Sequence, residues 1–290
     1  MKQSVSRVAA VHDLSGFGRS SLNVVIPILS TMELQVCSLP TSVLSAHTDF
    51  EEYYFVDMTE HMEKILAHWR QLNISFDCIY SGFLGSPRQV EIISRFIDQH
   101  EPSHPLVVID PVMADNGRLY DTMSNEMVIN MQRYISKADI ITPNLTEAAF
   151  LLGEKYDPLI GEKEIKQWML RLAQMGPSIV IITSVPATRE SKNTSVLAYN
   201  REDGRFWKVS CVYIPAHFPG TGDAFTSVVT GSILQGDSLP IALDRGVQFI
   251  TAAIRASYGY KYPEREGVLL ERVLGNLKLP VLASTYEILE

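Results

Sequence analysis

Leu106-Val107-Val108-Ile109-Asp110-Pro111-Val112 is the stretch that decides the fold class. Four apolar, mostly β-branched residues run without polar alternation into a carboxylate and a proline. A strand with no polar face is buried on both sides, as in a parallel sheet covered by helices. Asp139-Ile140-Ile141-Thr142 and Ile179-Val180-Ile181-Ile182-Thr183-Ser184 repeat that texture. Outward from these, strands are predicted at Val8–His12, Leu34–Ser38, Cys78–Gly82, Leu106–Asp110, Ile140–Thr142 and Ile179–Ser184. They alternate with helical periodicity over Leu22–Thr31, Met58–Gln71, Arg88–His100, Asn125–Ser136 and Glu164–Met175. The alternation predicts a three-layer α/β fold, a mostly parallel central sheet with helices on both faces. Beyond Ser184, Thr194–Tyr199 and Phe206–Val212 flank Arg201-Glu202-Asp203-Gly204, which predicts a hairpin with a polar turn. Helices over Ala224–Leu234 and Ile241–Tyr258 follow.

The chain of 290 residues is 46% hydrophobic, enough for a large core, and carries no repeat or break in composition. One domain over residues 1–290 is therefore expected. A formal charge of −8 and a pI near 5.4 argue against nucleic acid or an anionic membrane as the main partner. No apolar run reaches the roughly 18 residues that cross a bilayer, and the N-terminus lacks the apolar core of a secretion signal. Cys37, Cys78 and Cys211 are odd in number and far apart, a pattern of reduced thiols in a cytoplasmic protein. His100 and His104 have helical ligand spacing, but Pro102 and Pro105 break the helix that would align them.

Open α/β sheets bind ligands at the carboxyl ends of their strands, and the polar residues gather there. The first strand runs into His12-Asp13-Leu14-Ser15-Gly16-Phe17-Gly18, and the second leads to His47-Thr48-Asp49. Later strand ends supply Ser81-Gly82, Asp110-Pro111, Thr142-Pro143-Asn144-Leu145-Thr146-Glu147 and Thr183-Ser184. Such a row of loops makes one pocket and favours an enzyme over a scaffold. Neither a complete Gly-x-Gly-x-x-Gly fingerprint nor a Walker P-loop occurs.

Phe218-Pro219-Gly220-Thr221-Gly222-Asp223-Ala224-Phe225 ends an extended segment and opens a helix. Glycines let successive N–H groups converge, and the helix start adds partial positive charge, so the turn suits an anion. Asp223 would repel that anion unless its carboxylate removes a proton from a nucleophile attacking a bound phosphate. The plainer alternative is an aspartate cap. Asp110, taken with Asn144-x-x-Glu147, forms a candidate seat for hydrated Mg²⁺, which needs only one or two carboxylates. Here the plainer alternative is a capping box at a helix start. Together these residues compose a phosphoryl-transfer set of base, anion hole and metal.

In this order Ser81-Gly82-Phe83-Leu84-Gly85-Ser86, Asp110-Pro111-Val112-Met113, Thr142-Pro143-Asn144-Leu145-Thr146-Glu147 and Gly220-Thr221-Gly222-Asp223 resemble the ribokinase-like superfamily. The match spans nearly the whole chain and is closest to the pyridoxal/pyridoxamine kinase branch. The resemblance implies a ribokinase-like fold and ATP-dependent phosphorylation of the 5′-hydroxymethyl group of a B6 vitamer, with Mg²⁺. It implies that Asp223 is the base and that Gly220, Thr221 and Gly222 form the anion hole. Asp110, Thr142, Asn144, Glu147 and Thr183 would serve ATP or its metal, with Asp110 and Glu147 nearest the ion. Thr48 and Asp49 fall where the family's early loop reaches the pyridine ring. Where relatives carry a ring-contacting Ser on the first strand end, this chain offers His12, Asp13 or Ser15, and the choice stays open. Thr183 stands where some relatives have Lys. Hydroxymethylpyrimidine kinases usually show Gly-Thr-Gly-Cys, so Asp223 favours the vitamer. That kinase, or a sensor without turnover, remains the alternative, and a monovalent cation and a homodimer are left open. The segment Ser45–Phe55 reads either as a partial lid or as aromatics packed on the core or on a second copy.

Overall fold

The computed structural model describes residues 5–100, 103–185, 193–280 and 284–289. Its strands are β1 (Arg7–Ser15), β2 (Gln35–Leu44), β3 (Phe55–Asp57), β4 (Cys78–Ser81), β5 (Leu106–Ile109), β6 (Ala114–Asp115), β7 (Arg118–Leu119), β8 (Ile140–Ile141), β9 (Ile179–Val185), β10 (Asn193–Asn200), β11 (Arg205–Val212) and β12 (Tyr286–Leu289). Its α-helices are α1 (Leu22–Thr31), α2 (Thr59–Gln71), α3 (Pro87–His100), α4 (Asn125–Tyr134), α5 (Leu145–Leu152), α6 (Glu162–Gln174), α7 (Thr221–Leu234) and α8 (Leu239–Tyr258). The main sheet has the order β12-β11-β10-β9-β8-β5-β4-β1-β2-β3. Its centre from β9 to β2 is parallel, as the unbroken apolar runs predict, and both flanks are antiparallel.

Alternate residues of each central strand feed separate cores. Ala9 and Val11 pack with Ile79, Ile109 and the apolar faces of α2 to α6. Val8, Ala10 and Tyr80 pack on the opposite face with Leu22, Phe225, Leu243 and Val247 of α1, α7 and α8. The chain leaves β1 for β2 on one side and later fills β4, β5, β8 and β9 on the other. Strand order therefore reverses between β1 and β4, and the crevice outside their carboxyl ends is where an open α/β sheet takes its ligand.

The predicted hairpin is present as β10–β11 around Arg201–Gly204, with Gly204 at φ +71° supplying the left-handed turn. α7 starts at Thr221, three residues before the predicted Ala224, which places Gly222 and Asp223 in its first turn. α5 escaped periodicity because Leu-Thr-Glu-Ala-Ala-Phe-Leu-Leu is buried almost all round and shows no polar stripe. β3, β6, β7 and β12 are two to four residues long, too short to display a period.

Candidate active site

The carboxyl end of β1 forms the floor. His12 is fully buried, its ring edge-on to Tyr80 of β4 with centroids 4.4 Å apart. Gly82 follows β4 because the imidazole fills the space beside it: a Cβ there would lie 2.3 Å from His12 Nδ1. The β1–β2 ladder slips register between His12 and Leu14, beside Asp13, and such irregularities re-aim side chains near active sites. Asp13 Oδ1 accepts a 2.5 Å bond from the Ser21 hydroxyl, and Oδ2 a longer one of 3.3 Å from Ser15. Burial pushes the Asp13 carboxyl above its usual range, and the bond from Ser21 opposes the rise.

Two helix starts meet above this floor. Ser21 precedes α1 with φ 51° and Gly220 precedes α7 with φ 77°. A Cβ on Gly220 would stand 2.2 Å from the Arg19 carbonyl oxygen, so only glycine lets the two turns approach. Thr221 Oγ1 closes the turn by donating to the Phe218 carbonyl at 3.0 Å. Gly222 has no heavy atom within 4 Å of its hypothetical Cβ, leaving open space in front of the α7 N-terminus. Asp223 Oδ2 accepts the Ser21 main-chain N–H at 2.9 Å, and Oδ1 lies 3.7 Å from His12 Nδ1. Tyr80 donates a long 3.4 Å bond to the Asp223 carbonyl oxygen. A partly exposed carboxylate beside free helix-start amides can accept a proton next to a bound anion.

A second acidic group lies deeper. Asp110, just past β5, is buried, and Thr226 Oγ1 of α7 lies 3.4 Å from Asp110 Oδ2 and 3.0 Å from Thr142 Oγ1. Burial pushes the Asp110 carboxyl well above its usual range, and the Asp223 charge pushes it further. Glu147 is raised in the same way by burial and then by Asp110. Its Oε1 accepts the Met113 N–H at 3.1 Å and its Oε2 the Asn144 N–H at 2.8 Å, while Asn144 Oδ1 accepts the Glu147 N–H. The capping box is therefore real and does not use every carboxylate lone pair. Asn144 bridges to Thr183, whose N–H donates to the Pro143 carbonyl at 3.0 Å. Two buried carboxylates that repel one another are a donor set that a divalent cation would relieve. Among the described residues no cluster of three or more His, Cys, Asp or Glu is arranged for a metal, so the ion would keep most of its waters.

Thr48 and Asp49 sit exposed on a turn that follows β2. Asp49 faces the same acidic space through Tyr120, whose hydroxyl is pushed up by burial and by the charges of Glu147, Asp115, Asp110 and Asp49. The neighbouring His47 is buried, with Nε2 2.5 Å from the Arg265 carbonyl oxygen. Arg19 is held by the same C-terminal turn: its N–H donates to the Glu266 carbonyl at 3.0 Å and its Nε to Glu271 at 3.0 Å. Phe50 of the early loop packs against Phe17 and under the Arg265 guanidinium, which fits a loop that covers part of the site. His12, Asp13, Ser15, Asp110, Thr142 and Asp223 thus come together around Thr226 and Ser21, while Asn144, Glu147 and Thr183 line the next strand ends. Ser21, Tyr80, Tyr120 and Thr226 were not singled out from sequence. Thr226 carried a usable signal, since it lies three residues beyond Asp223 on one helix face.

A family model described as phosphomethylpyrimidine kinase matches residues 30–266. A Bacteroides thetaiotaomicron protein, provisionally named a phosphomethylpyrimidine kinase and crystallised with pyridoxal, superposes with a TM-score of 0.96 at 56% identity, over 99% of this chain and 100% of its own. Pyridoxal kinase from Lactobacillus plantarum gives a TM-score of 0.86 at 29% identity, over 94% of this chain and 97% of its own. The pyridoxal kinase of Rubrobacter xylanophilus is 24% identical over 85% of this chain and 86% of its own. Hydroxymethylpyrimidine/phosphomethylpyrimidine kinase of Bacillus subtilis is 26% identical over 63% and 65%. With its mostly parallel sheet and its strand-end motifs, the chain belongs to the phosphomethylpyrimidine kinase family and is a kinase of the pyridoxal kinase branch of the ribokinase-like superfamily.

Proposed function

We propose that this chain is a cytoplasmic, single-domain kinase that transfers the γ-phosphoryl group of ATP to the 5′-hydroxymethyl group of a B6 vitamer. The observation that carries the reading is the placement of Asp223. Its carboxylate is in the first turn of α7, anchored by the Ser21 N–H and beside the open space in front of Gly222. A primary alcohol is a weak nucleophile, and a positioned base is worth ~10²–10⁴ in rate. Asp223 takes the hydroxyl proton as the oxygen attacks, and the amides of Gly220–Gly222 bind the equatorial oxygens of the transferring group. Asp110 and Glu147 would hold Mg²⁺, which supplies charge neutralisation between the phosphates. Asp49 and Thr48 close the vitamer side, and Thr183 borders the nucleotide side. The pyridoxal-bound relative supports the vitamer as substrate.

A second reading, phosphorylation of hydroxymethylpyrimidine, draws support from the relatives of that name. Asp223 weighs against it, and it also weighs against a sensor without turnover. Coupled ADP release with Mg·ATP, measured on pyridoxamine, pyridoxal, pyridoxine and hydroxymethylpyrimidine, decides among them. Turnover on a B6 vitamer is expected, with kcat lowered about a hundredfold or more in Asp223→Ala. Wild-type turnover in a folded Asp223→Ala protein would remove Asp223 as base. Activity confined to hydroxymethylpyrimidine would transfer the assignment to the second reading.

A further inference from the structure

His12 is a fully buried imidazole near the carboxyl end of β1. Both ring nitrogens are shielded from solvent, and neither has a hydrogen-bond partner among the described residues. A buried polar group left unpaired costs about 1–3 kcal/mol, and apolar residues fill the neighbouring positions of β1 without that penalty. The ring is also fixed. Gly82 lies against its Nδ1–Cε1 edge with room for no side chain, and Tyr80 meets it edge-on at 4.4 Å. The ionisable groups around it are Asp223 on α7, Asp13 on β1 and Tyr80 on β4, with Asp110 beyond Asp223. Nδ1 points to Asp223 Oδ1 at 3.7 Å, about 0.8 Å beyond an N–H···O bond. Catalytic hydrogen bonds are commonly long until substrate arrives.

We propose that His12 is a positioning residue for Asp223, the second point of a clamp whose first point is the Ser21 N–H. This rests on the reading of Asp223 as the base. Ser21 fixes Oδ2, and the His12 Nδ1–H closes onto Oδ1 by a small rotation of the carboxylate. Each oxygen has two lone pairs, so Oδ1 keeps one directed at the substrate hydroxyl. With both oxygens held, the carboxylate cannot swing toward the anion site in front of Gly222, which would place like charges together.

The test compares three variants of the full chain in Mg·ATP turnover, with thermal melts as the control for folding. His12→Leu fills the space without a donor, His12→Asn returns an N–H near Nδ1, and His12→Leu is repeated in an Asp223→Asn background. A misplaced catalytic group costs on the order of tenfold to a hundredfold. That loss is expected in kcat for His12→Leu, with KM for vitamer and ATP within about twofold and His12→Asn recovering to within about threefold of wild type. In the Asp223→Asn background His12→Leu is expected to have no further effect. Unchanged kcat in a folded His12→Leu protein overturns the proposal, as does a loss that His12→Asn, itself folded, fails to recover. If His12→Leu does not fold, His12→Ala takes its place: a loss in kcat that His12→Asn recovers supports the clamp, and unchanged kcat overturns it. Failure of the base reading is a separate result, seen as wild-type turnover in Asp223→Asn.

Discussion

The starts of α1 and α7 meet one backbone demand with opposite residues. Both helices open from a residue of positive φ, 51° at Ser21 and 77° at Gly220. Gly220 occupies that region freely, and its missing Cβ lets the Arg19 carbonyl come close. Ser21 keeps its side chain and holds a strained backbone, a burden of roughly 1–3 kcal/mol. In exchange its hydroxyl reaches Asp13 and its N–H reaches Asp223. One turn is built to leave room, the other to tie two carboxylates together.

Substitutions can break this contrast. The largest effect is expected at Gly220→Ala, which loses about 1–3 kcal/mol to backbone strain alone, and more to collision with Arg19. A urea titration reads the loss, and ADP release falls with it. Gly222→Ala is the counterpart, because nothing stands within 4 Å of its new methyl. Its melt should stay at or slightly above wild type, while the KM for ATP rises as the methyl enters the anion space. An unstable Gly222→Ala or a stable Gly220→Ala would reverse the assignment of the two glycines.

A smaller effect separates strain from bonding at Ser21. Ser21→Gly and Ser21→Ala both strip Asp13 of its 2.5 Å partner, but only glycine relaxes the backbone. Ser21→Gly is expected to be the more stable by about 1 kcal/mol in urea unfolding. Both keep the main-chain N–H to Asp223, so their kcat values should agree. Equal stabilities would mean that Ser21 is not strained.

The smallest effect is a pH dependence at Asp13. Its native pKa is raised by burial above the unfolded value, so the folded chain binds this proton more tightly than the unfolded one. Its contribution to stability is full below the unfolded value, about 3.9, and fades as pH rises through the native one. Asp13→Asn removes that loss. The melting temperature of the variant minus that of wild type should therefore grow as pH rises from about 4. A difference that shrinks over this range would contradict a raised carboxyl.

What was legible in the sequence follows the same contrast. Leu106–Ile109 and Ile179–Ile182 announced buried strands because an apolar run without alternation has few other uses. Gly220 and Gly222 announced a turn because glycine is the residue whose backbone freedom is visible in its letter. Ser21 gives no such sign: its φ is imposed by tertiary contacts and any serine looks the same on paper. His12 was legible as a polar residue at a strand end, but not as a ring buried beside Asp223, since burial depends on Gly82 and Tyr80 of a distant strand. Asn144 and Glu147 showed both their meanings at once. The capping box is formed, and the same carboxylate still feels the charge of Asp110.

The bond from Arg19 to the Glu266 carbonyl spans most of the chain. Nearby, Gly267 is admitted only because it lacks a Cβ, which would lie 2.7 Å from the Arg19 carbonyl oxygen. During synthesis the sheet centre, Asp223 and both helix starts emerge before that turn does. The polypeptide can thus build its scaffold from nearer contacts, while the loop that carries Arg19 waits for a seat that lies far along the chain. Contacts this distant in sequence form late and slowly.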